Sequence, residues 1–362
     1  MQSEDLVPTS KRHRSPVIAV TGAAAGLGRA FLAHVASSAD FRRVVAIDEQ
    51  RGDVSDVTWR VIDVRDPLLA NRLSDIDVLV HLAADYALDA DPAERRAYNL
   101  RAAQTVLTAS AAARVRRVVV VTSAMVYGAA PDNPVPLPED SPVTAEPDTG
   151  IVGDYLEIEA LVRRSLRSHP GLEVTVVRPA AVVGPGIDTV VTRHFEAPRL
   201  LTVKGCAPRW QFCHIDDLVT ALELAALGTV SGTLAVGSDG WLEQEQVEEI
   251  SGLRRFELPA GLTFGTAQRL HRLGVTPAPA TDLHYVVYPW VADCTSLRAA
   301  GWKPTWTNEA ALERLLELRE GRHAVVGRRL SGKDATITAA GATVAVIGTA
   351  AIVRRARRRR RL

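Results

Sequence analysis

"VIAVTGAAAGLGRAF", residues 17–31, decides the fold. Five residues rich in β-branched side chains run into a glycine turn, and the turn runs into an apolar helical pattern. A strand that is apolar at nearly every position is buried on both faces, as strands of a parallel sheet are. The glycines have separate tasks: Gly22 permits the tight turn, Gly26 lets a ligand approach the backbone, and Gly28 allows close helix–strand packing. A helix that begins there points its free N–H groups and the positive end of its dipole over the turn, which suits a pyrophosphate. A glycine pattern alone is weak, but between a strand and a helix it reads as a dinucleotide site.

Working outward, "RRVVAID" (42–48), "WRVIDVRD" (59–66), "DVLVHLAA" (77–84), "RRVVVVTSAMVYG" (116–128) and "LEVTVVRPAAVVGPG" (172–186) read as five further strands. Helical patterns over 26–37, 67–73, 92–113 and 154–168 lie between them. The alternation predicts an α/β class, a Rossmann-type doubly wound parallel sheet with right-handed crossovers. The Pro- and acid-rich segment 129–150 reads as a long surface loop. After Gly184 the regularity falls. The organisation expected is a disordered basic arm over 1–15, a dinucleotide-binding domain over 16–183 and a smaller C-terminal substrate-binding α/β subdomain over 184–330. Residues 211–228 are expected to return to the first domain, and 331–362 to form an apolar segment with an Arg-rich tail.

The chain has 362 residues, 47% of them hydrophobic, enough for one large or two medium domains with a sizeable core. Its net charge of +1 names no partner, but the last nine residues hold seven arginines, which leaves the remainder near −6. Cys206, Cys213 and Cys294 have no metal-ligand spacing, so no metal is expected and a reducing compartment, the cytoplasm, is. The polar N-terminus lacks the apolar stretch of a secretory signal. Residues 335–353 carry no charge, so this segment and the arginines after it could lie on an anionic membrane surface, stay unstructured or meet nucleic acid. Without interleaved aromatics, nucleic acid is the weakest of the three.

Asp48 ends the second strand twenty residues after Gly28, where a carboxylate can accept hydrogen bonds from ribose hydroxyls and would repel a 2′-phosphate, so NAD is favoured over NADP. Asp63 closes the third strand, where the adenine edge would lie. These features, with "HLAA" (81–84), "YNLRAAQTVLTAS" (98–110), "VVVTSAMVYG" (119–128), Tyr155, "VRPAAVVGPG" (177–186), "FCHIDDL" (212–218) and "DCTSLRAAGWKP" (293–304), resemble the extended short-chain dehydrogenase/reductase superfamily. The resemblance is to its NAD-dependent sugar-nucleotide epimerase/dehydratase group. It implies that Gly22, Gly26, Leu27 and Gly28 hold the pyrophosphate, Asp48 the ribose, and Asp63 and Val64 the adenine. It also implies that Leu82, Ala83 and Ala84 line the nicotinamide side, that Asn99 supports that wall, and that Arg178 and Pro179 open a loop near nicotinamide and substrate. Ser123 and Tyr155 match the catalytic hydroxyls, and the substrate implied is a nucleotide sugar or a related compound. A homodimer through the 100–113 and 154–168 helices would suit the family.

One departure bears on the chemistry. The family pattern is Tyr-x-x-x-Lys, and this chain has Tyr155-Leu-Glu-Ile-Glu159. Residues four apart on a helix share a face. A lysine there would lower the tyrosine pKa, whereas a carboxylate would raise it and weaken the proton relay. On that reasoning Glu159→Lys should raise activity. Two functions follow: an NAD-dependent epimerase/dehydratase-like oxidoreductase, or a catalytically inactive NAD-binding sensor or scaffold.

Overall fold

Seven strands form one parallel sheet: β1 (Val17–Thr21), β2 (Arg43–Asp48), β3 (Thr58–Val61), β4 (Val78–His81), β5 (Arg117–Val121), β6 (Glu173–Pro179) and β7 (Thr233–Val236). The structure is a computed structural model, and it describes residues 15–88, 90–272 and 279–327. The strand order is β7-β6-β5-β4-β1-β2-β3. The order reverses between β1 and β4, and such a reversal opens a crevice at the carboxyl ends of the strands. This is a Rossmann-type α/β fold.

Helices α1 (Gly26–Ala36) and α4 (Ile215–Leu227) cover one face, and α2 (Pro92–Ala112) and α3 (Ile151–Ser168) the other. The central strand shows why. Ile18 and Val20 pack with Phe31, Leu32, Leu218 and Leu222, while Val17 and Ala19 pack with Ala102, Val106, Ile158 and Val162. Side chains alternate across a strand, so an all-apolar strand needs both covers.

Local chemistry sets the helix boundaries. Asp91 accepts hydrogen bonds from the N–H groups of Ala93 (2.9 Å) and Glu94 (3.0 Å), and Pro92 opens α2 where no N–H is needed. The 67–73 pattern is a short 3₁₀ helix over Pro67–Arg72, capped by Asp66. Helix α3 begins at Ile151, three residues before its expected start, so Asp154 lies buried inside its first turn. The 129–150 loop is less free than its composition suggests. The Glu139 carboxylate accepts from the N–H groups of Ala235 (2.7 Å) and Ser296 (3.0 Å) and from the Ser296 hydroxyl, tying the loop to β7.

A second cluster, with Phe195, Trp210, Phe212, Leu242, Trp290 and Leu312, forms the core of a smaller lobe. The segment that returns to the sheet is longer than 211–228. It continues through β7, which pairs with β6 from Thr233↔Val176 to Val236↔Pro179. Among the described residues no helix is long and apolar enough to cross a membrane. The tail at 331–362, and the basic arm apart from Ser15, lie outside the described residues.

Phe31 is fully buried between α1 and the sheet. Phe31→Ala is expected to lower unfolding free energy by about 3–5 kcal/mol, read from urea denaturation. A loss well under that range would mean that α1 does not carry the sheet face as described.

Candidate active site

The strand ends converge on one cavity of about 1410 Å³. Gly22, Gly26, Leu27 and Gly28 line it from the turn after β1, Asp48 from the end of β2 and Val64 from beyond β3. Leu82, Ala83 and Ala84 line it after β4, Ser123 after β5, Pro179 at the end of β6 and Tyr155 from α3.

The glycine turn is built for a ligand. A Cβ on Gly28 would lie 1.9 Å from the Gly22 carbonyl oxygen, and one on Gly22 would lie 2.7 Å from Ala83 backbone atoms. These contacts pull the start of α1 against the strand ends. Gly26, at φ +53°, has nothing within 4 Å of its would-be Cβ, so open space lies on that side. Helix α1 has no side-chain cap and no acid in its first turn, which leaves its N–H groups and dipole to an anion. Beneath the turn, Thr21 hydrogen-bonds His81 (2.8 Å), and burial pushes the imidazole pKa down to about 4, keeping it neutral. The Asp48 carboxylate accepts from the Ala24 N–H (3.0 Å) and the Gln50 N–H (3.2 Å) while lining the cavity. A cradle, a free helix end and a carboxylate at the neighbouring strand end together fit a dinucleotide.

Asp63, Asn99 and Arg178 do not line this cavity. Asp63 grips Arg65 through both carboxylate oxygens, and Arg65, which does line it, lies 4.7 Å over the Tyr98 ring. Asn99 accepts from the Asp85 N–H (2.8 Å) and donates to the Asp85 carbonyl and to Asp154 (3.0 Å each), holding the loop after β4.

Arg178 changes the reading of Glu159. The Glu159 carboxylate, 3% exposed, takes a two-pronged bond from Arg178, Nε to Oε1 at 2.9 Å and Nη2 to Oε2 at 2.6 Å. Thr122 donates to the same carboxylate (3.0 Å), and Arg163 lies 3.9 Å away. Burial works against the Arg178 charge, but Glu159 outweighs it and holds the guanidinium above its ordinary pKa. The guanidinium also lies 4.7 Å over the Tyr127 ring. The charge expected to act on Tyr155 is therefore neutralised on the adjacent strand, because a buried carboxylate needs a partner more than a distant phenol. The Tyr155 pKa is still pushed well above 10, first by burial and then by Tyr86 and Asp154, with Arg95 opposing.

Among the lining groups not foreseen from the sequence are Thr122, Tyr86 and Asp282. Thr122 had a signal, since it directly precedes Ser123 at a strand end. Tyr86 had little and Asp282 none, because its segment lacks any periodic pattern. Asp282 is 3% exposed, and burial followed by the nearby Asp148 charge pushes its pKa up to about 7, against the pull of Arg95.

Residues 18–234 match the model of the NAD dependent epimerase/dehydratase family. The chain belongs to that family. NAD is the family's cofactor. An uncharacterized protein of Mycobacterium tuberculosis is 32% identical over 311 residues, 82% of each chain. A ketoreductase of Stigmatella aurantiaca, named for a 4-hydroxy-2-methyl-3-oxo-4-farnesyl-3,4-dihydroquinoline-1-oxide substrate, is 29% identical over 235 residues, 61% of this chain and 67% of that one. Among solved structures, UDP-glucose 4-epimerase of Thermotoga maritima with UDP-glucose has a TM-score of 0.62 at 19% identity, covering 84% of this chain and 99% of that one. MoeE5 in complex with UDP-glucuronic acid and NAD has a TM-score of 0.63 at 24% identity, covering the same shares. Both share the fold.

Two outcomes follow from the charges. Glu159→Lys puts a second cation beside a buried Arg178, so it is expected to cost about 3–5 kcal/mol of stability in denaturant titration rather than to raise activity. Wild-type stability and higher turnover would instead restore the direct Glu159–Tyr155 coupling. Asp282 titrates at 3.8 when unfolded and at about 7 when folded, so between those values the folded state binds the extra proton. That contribution is present below about pH 4 and is lost as pH rises through 7. In paired urea titrations, Asp282→Asn should remove this downward component of the stability–pH slope relative to wild type.

Proposed function

We propose that the chain is an NAD-dependent oxidoreductase acting at a carbon that bears a hydroxyl or carbonyl oxygen. The observation that carries this reading is the meeting of Ser123 and Tyr155, from different elements, on the wall of the cavity that holds the glycine cradle. Gly22, Gly26, Leu27 and Gly28 would hold the pyrophosphate and Asp48 the adenosine ribose. Val64 would border the adenine, with Asp63 acting through Arg65. Leu82, Ala83, Ala84 and Pro179 would line the nicotinamide side, with Asn99 and Arg178 bracing that wall from behind. When bound as NADH, the cofactor supplies the hydride that reduces a carbonyl carbon.

Ser123 would donate a hydrogen bond to the substrate oxygen. Its Oγ already accepts from the Met125 N–H (3.2 Å), which fixes the side chain. Tyr155 would exchange the proton with the same oxygen. Burial holds the phenol neutral, so Tyr155 carries the proton that a developing alkoxide would take, while its raised pKa makes it a weak donor. The relay lacks the family lysine, but the Glu159 charge, spent on Arg178, does not add to that deficit. The nucleotide sugars of the solved neighbours and the ketone of the Stigmatella relative share one feature, a hydroxyl- or carbonyl-bearing carbon, and the proposal rests at that level.

The test uses purified full-length protein. NAD binding is followed by calorimetry, and NADH consumption by absorbance over a panel of carbonyl compounds. Tyr155→Phe is expected to lower kcat by about 10²-fold or more while leaving the Kd for NAD within about threefold. Undiminished turnover in that variant would sink the proposal. NAD binding without turnover across the panel would favour the sensor or scaffold.

A further inference from the structure

Beyond the cradle the cavity continues under the second lobe, and its lining changes character. Met125, Ile151, Ile187, Val190, Val191 and Trp290 form that part of the wall. Among the described residues, the lysines and arginines that line the cavity are Arg65 and Arg101. Both belong to the β2–β3 side, where they share a shallow depression with Asp63 and Asp66. Among the described residues, the aspartates that line the second-lobe side are Asp188 and Asp282. Asp188 is bound by Arg193 through two contacts (2.9 and 2.7 Å). The short Val190–Glu196 helix offers little to an anion, since Thr189 already accepts from the Thr192 N–H (3.2 Å).

A nucleoside diphosphate would bring about two negative charges into this space. Such groups are ordinarily met by guanidinium forks or ammonium groups, and burying them unmatched is costly. The lining supplies apolar carbon instead.

One of its lining residues, Asp282, also carries an unspent polar atom. Asp282 Oδ1 is buried with no hydrogen-bond partner among the described residues. The charged groups that act on Asp282 are Asp148 and Arg95, and both are committed elsewhere. Asp148 accepts from the Gly150 N–H (2.8 Å) and from the Thr281 hydroxyl. Arg95 donates to Asp154 (3.0 Å) and to the Thr149 carbonyl (2.6 Å). A buried polar atom without a partner calls for a ligand to satisfy it.

We infer that the second-lobe half of the cavity takes an apolar, phosphate-free ketone or secondary alcohol, and that Asp282 anchors a second, hydroxyl-bearing position of that molecule. This rests on the oxidoreductase reading and narrows its substrate. With NADH bound, the carbonyl carbon would gain the hydride and its oxygen the Tyr155 proton, a proton from solvent would restore the phenol, and NAD⁺ and the alcohol would be the products. Apolar walls select the carbon skeleton, and Asp282 sets which way it lies.

The test pairs 2-tetralone with 6-hydroxy-2-tetralone as probes for the full chain with NADH, and UDP-glucose as the phosphate-bearing competitor. Both ketones are expected to be reduced, the hydroxylated one at lower KM, and millimolar UDP-glucose should not inhibit. Asp282→Ala should raise the KM for the hydroxylated ketone about tenfold, with kcat changed far less, while Asp282→Asn, which keeps a polar group there, should recover most of that loss. Inhibition or turnover by UDP-glucose overturns the inference, and so does failure of both ketones while NADH is bound. An equal KM change for the two ketones in Asp282→Ala overturns the anchoring role. Failure to bind NADH at all would count against the oxidoreductase reading itself, so the two failures are told apart by the calorimetric control.

Discussion

Helix α1 starts where it does because Gly28 lies against the Gly22 carbonyl. A single methyl group at Gly28 would overlap that oxygen at 1.9 Å. The contact draws the amino end of the helix onto the carboxyl end of β1, at the point where the strand order reverses. From there the other pieces take their places. Asp48 reaches across from β2 to the turn, the backbone of Ala83 closes under Gly22, and the walls after β5 and β6 face the same opening. The cavity is thus a consequence of close backbone packing at one turn, and the chemistry arranged around it depends on that packing.

The second organising feature is electrostatic. Glu159 occupies a position where a cation would assist Tyr155, yet its charge is balanced by Arg178 and Thr122 behind the cavity wall. This pair links α3 to β6, and Thr122 ties it to the end of β5. It braces the wall that carries Ser123 and Pro179. Tyr155 is left in a dry setting as a neutral acid. Such a site keeps a proton in place beside the substrate oxygen but yields it reluctantly, and its dryness agrees with an apolar approach for the substrate.

The dinucleotide half of the site was legible because its requirements are local. A β-branched run, three glycines and an acid at the next strand end are all written within about one strand–helix–strand unit. The same locality explains why most strands and helices could be placed from periodicity, whereas the start of α3 at Ile151 rather than Asp154 could not. Asp148 organises the turn through the Gly150 N–H, and no apolar period reports that bond. The reach of the sheet into β7 was missed for a similar reason. A four-residue strand, set five residues after α4, carries too little pattern to declare its neighbour.

The sequence by itself determined the α/β class, the position of the cofactor cradle and the presence of Ser123 and Tyr155 at strand-end and helix positions. Only the tertiary structure decided what Glu159 does, because its partner Arg178 stands nineteen residues away on a strand that meets α3 only in the fold. Only the tertiary structure set Asp282 on the cavity wall, and only it showed that the lining arginines gather on one side. Turn and helix signals act over a few residues and are printed in order along the chain. Charge pairing and burial act through space, so their outcome depends on which distant segments the sheet brings together.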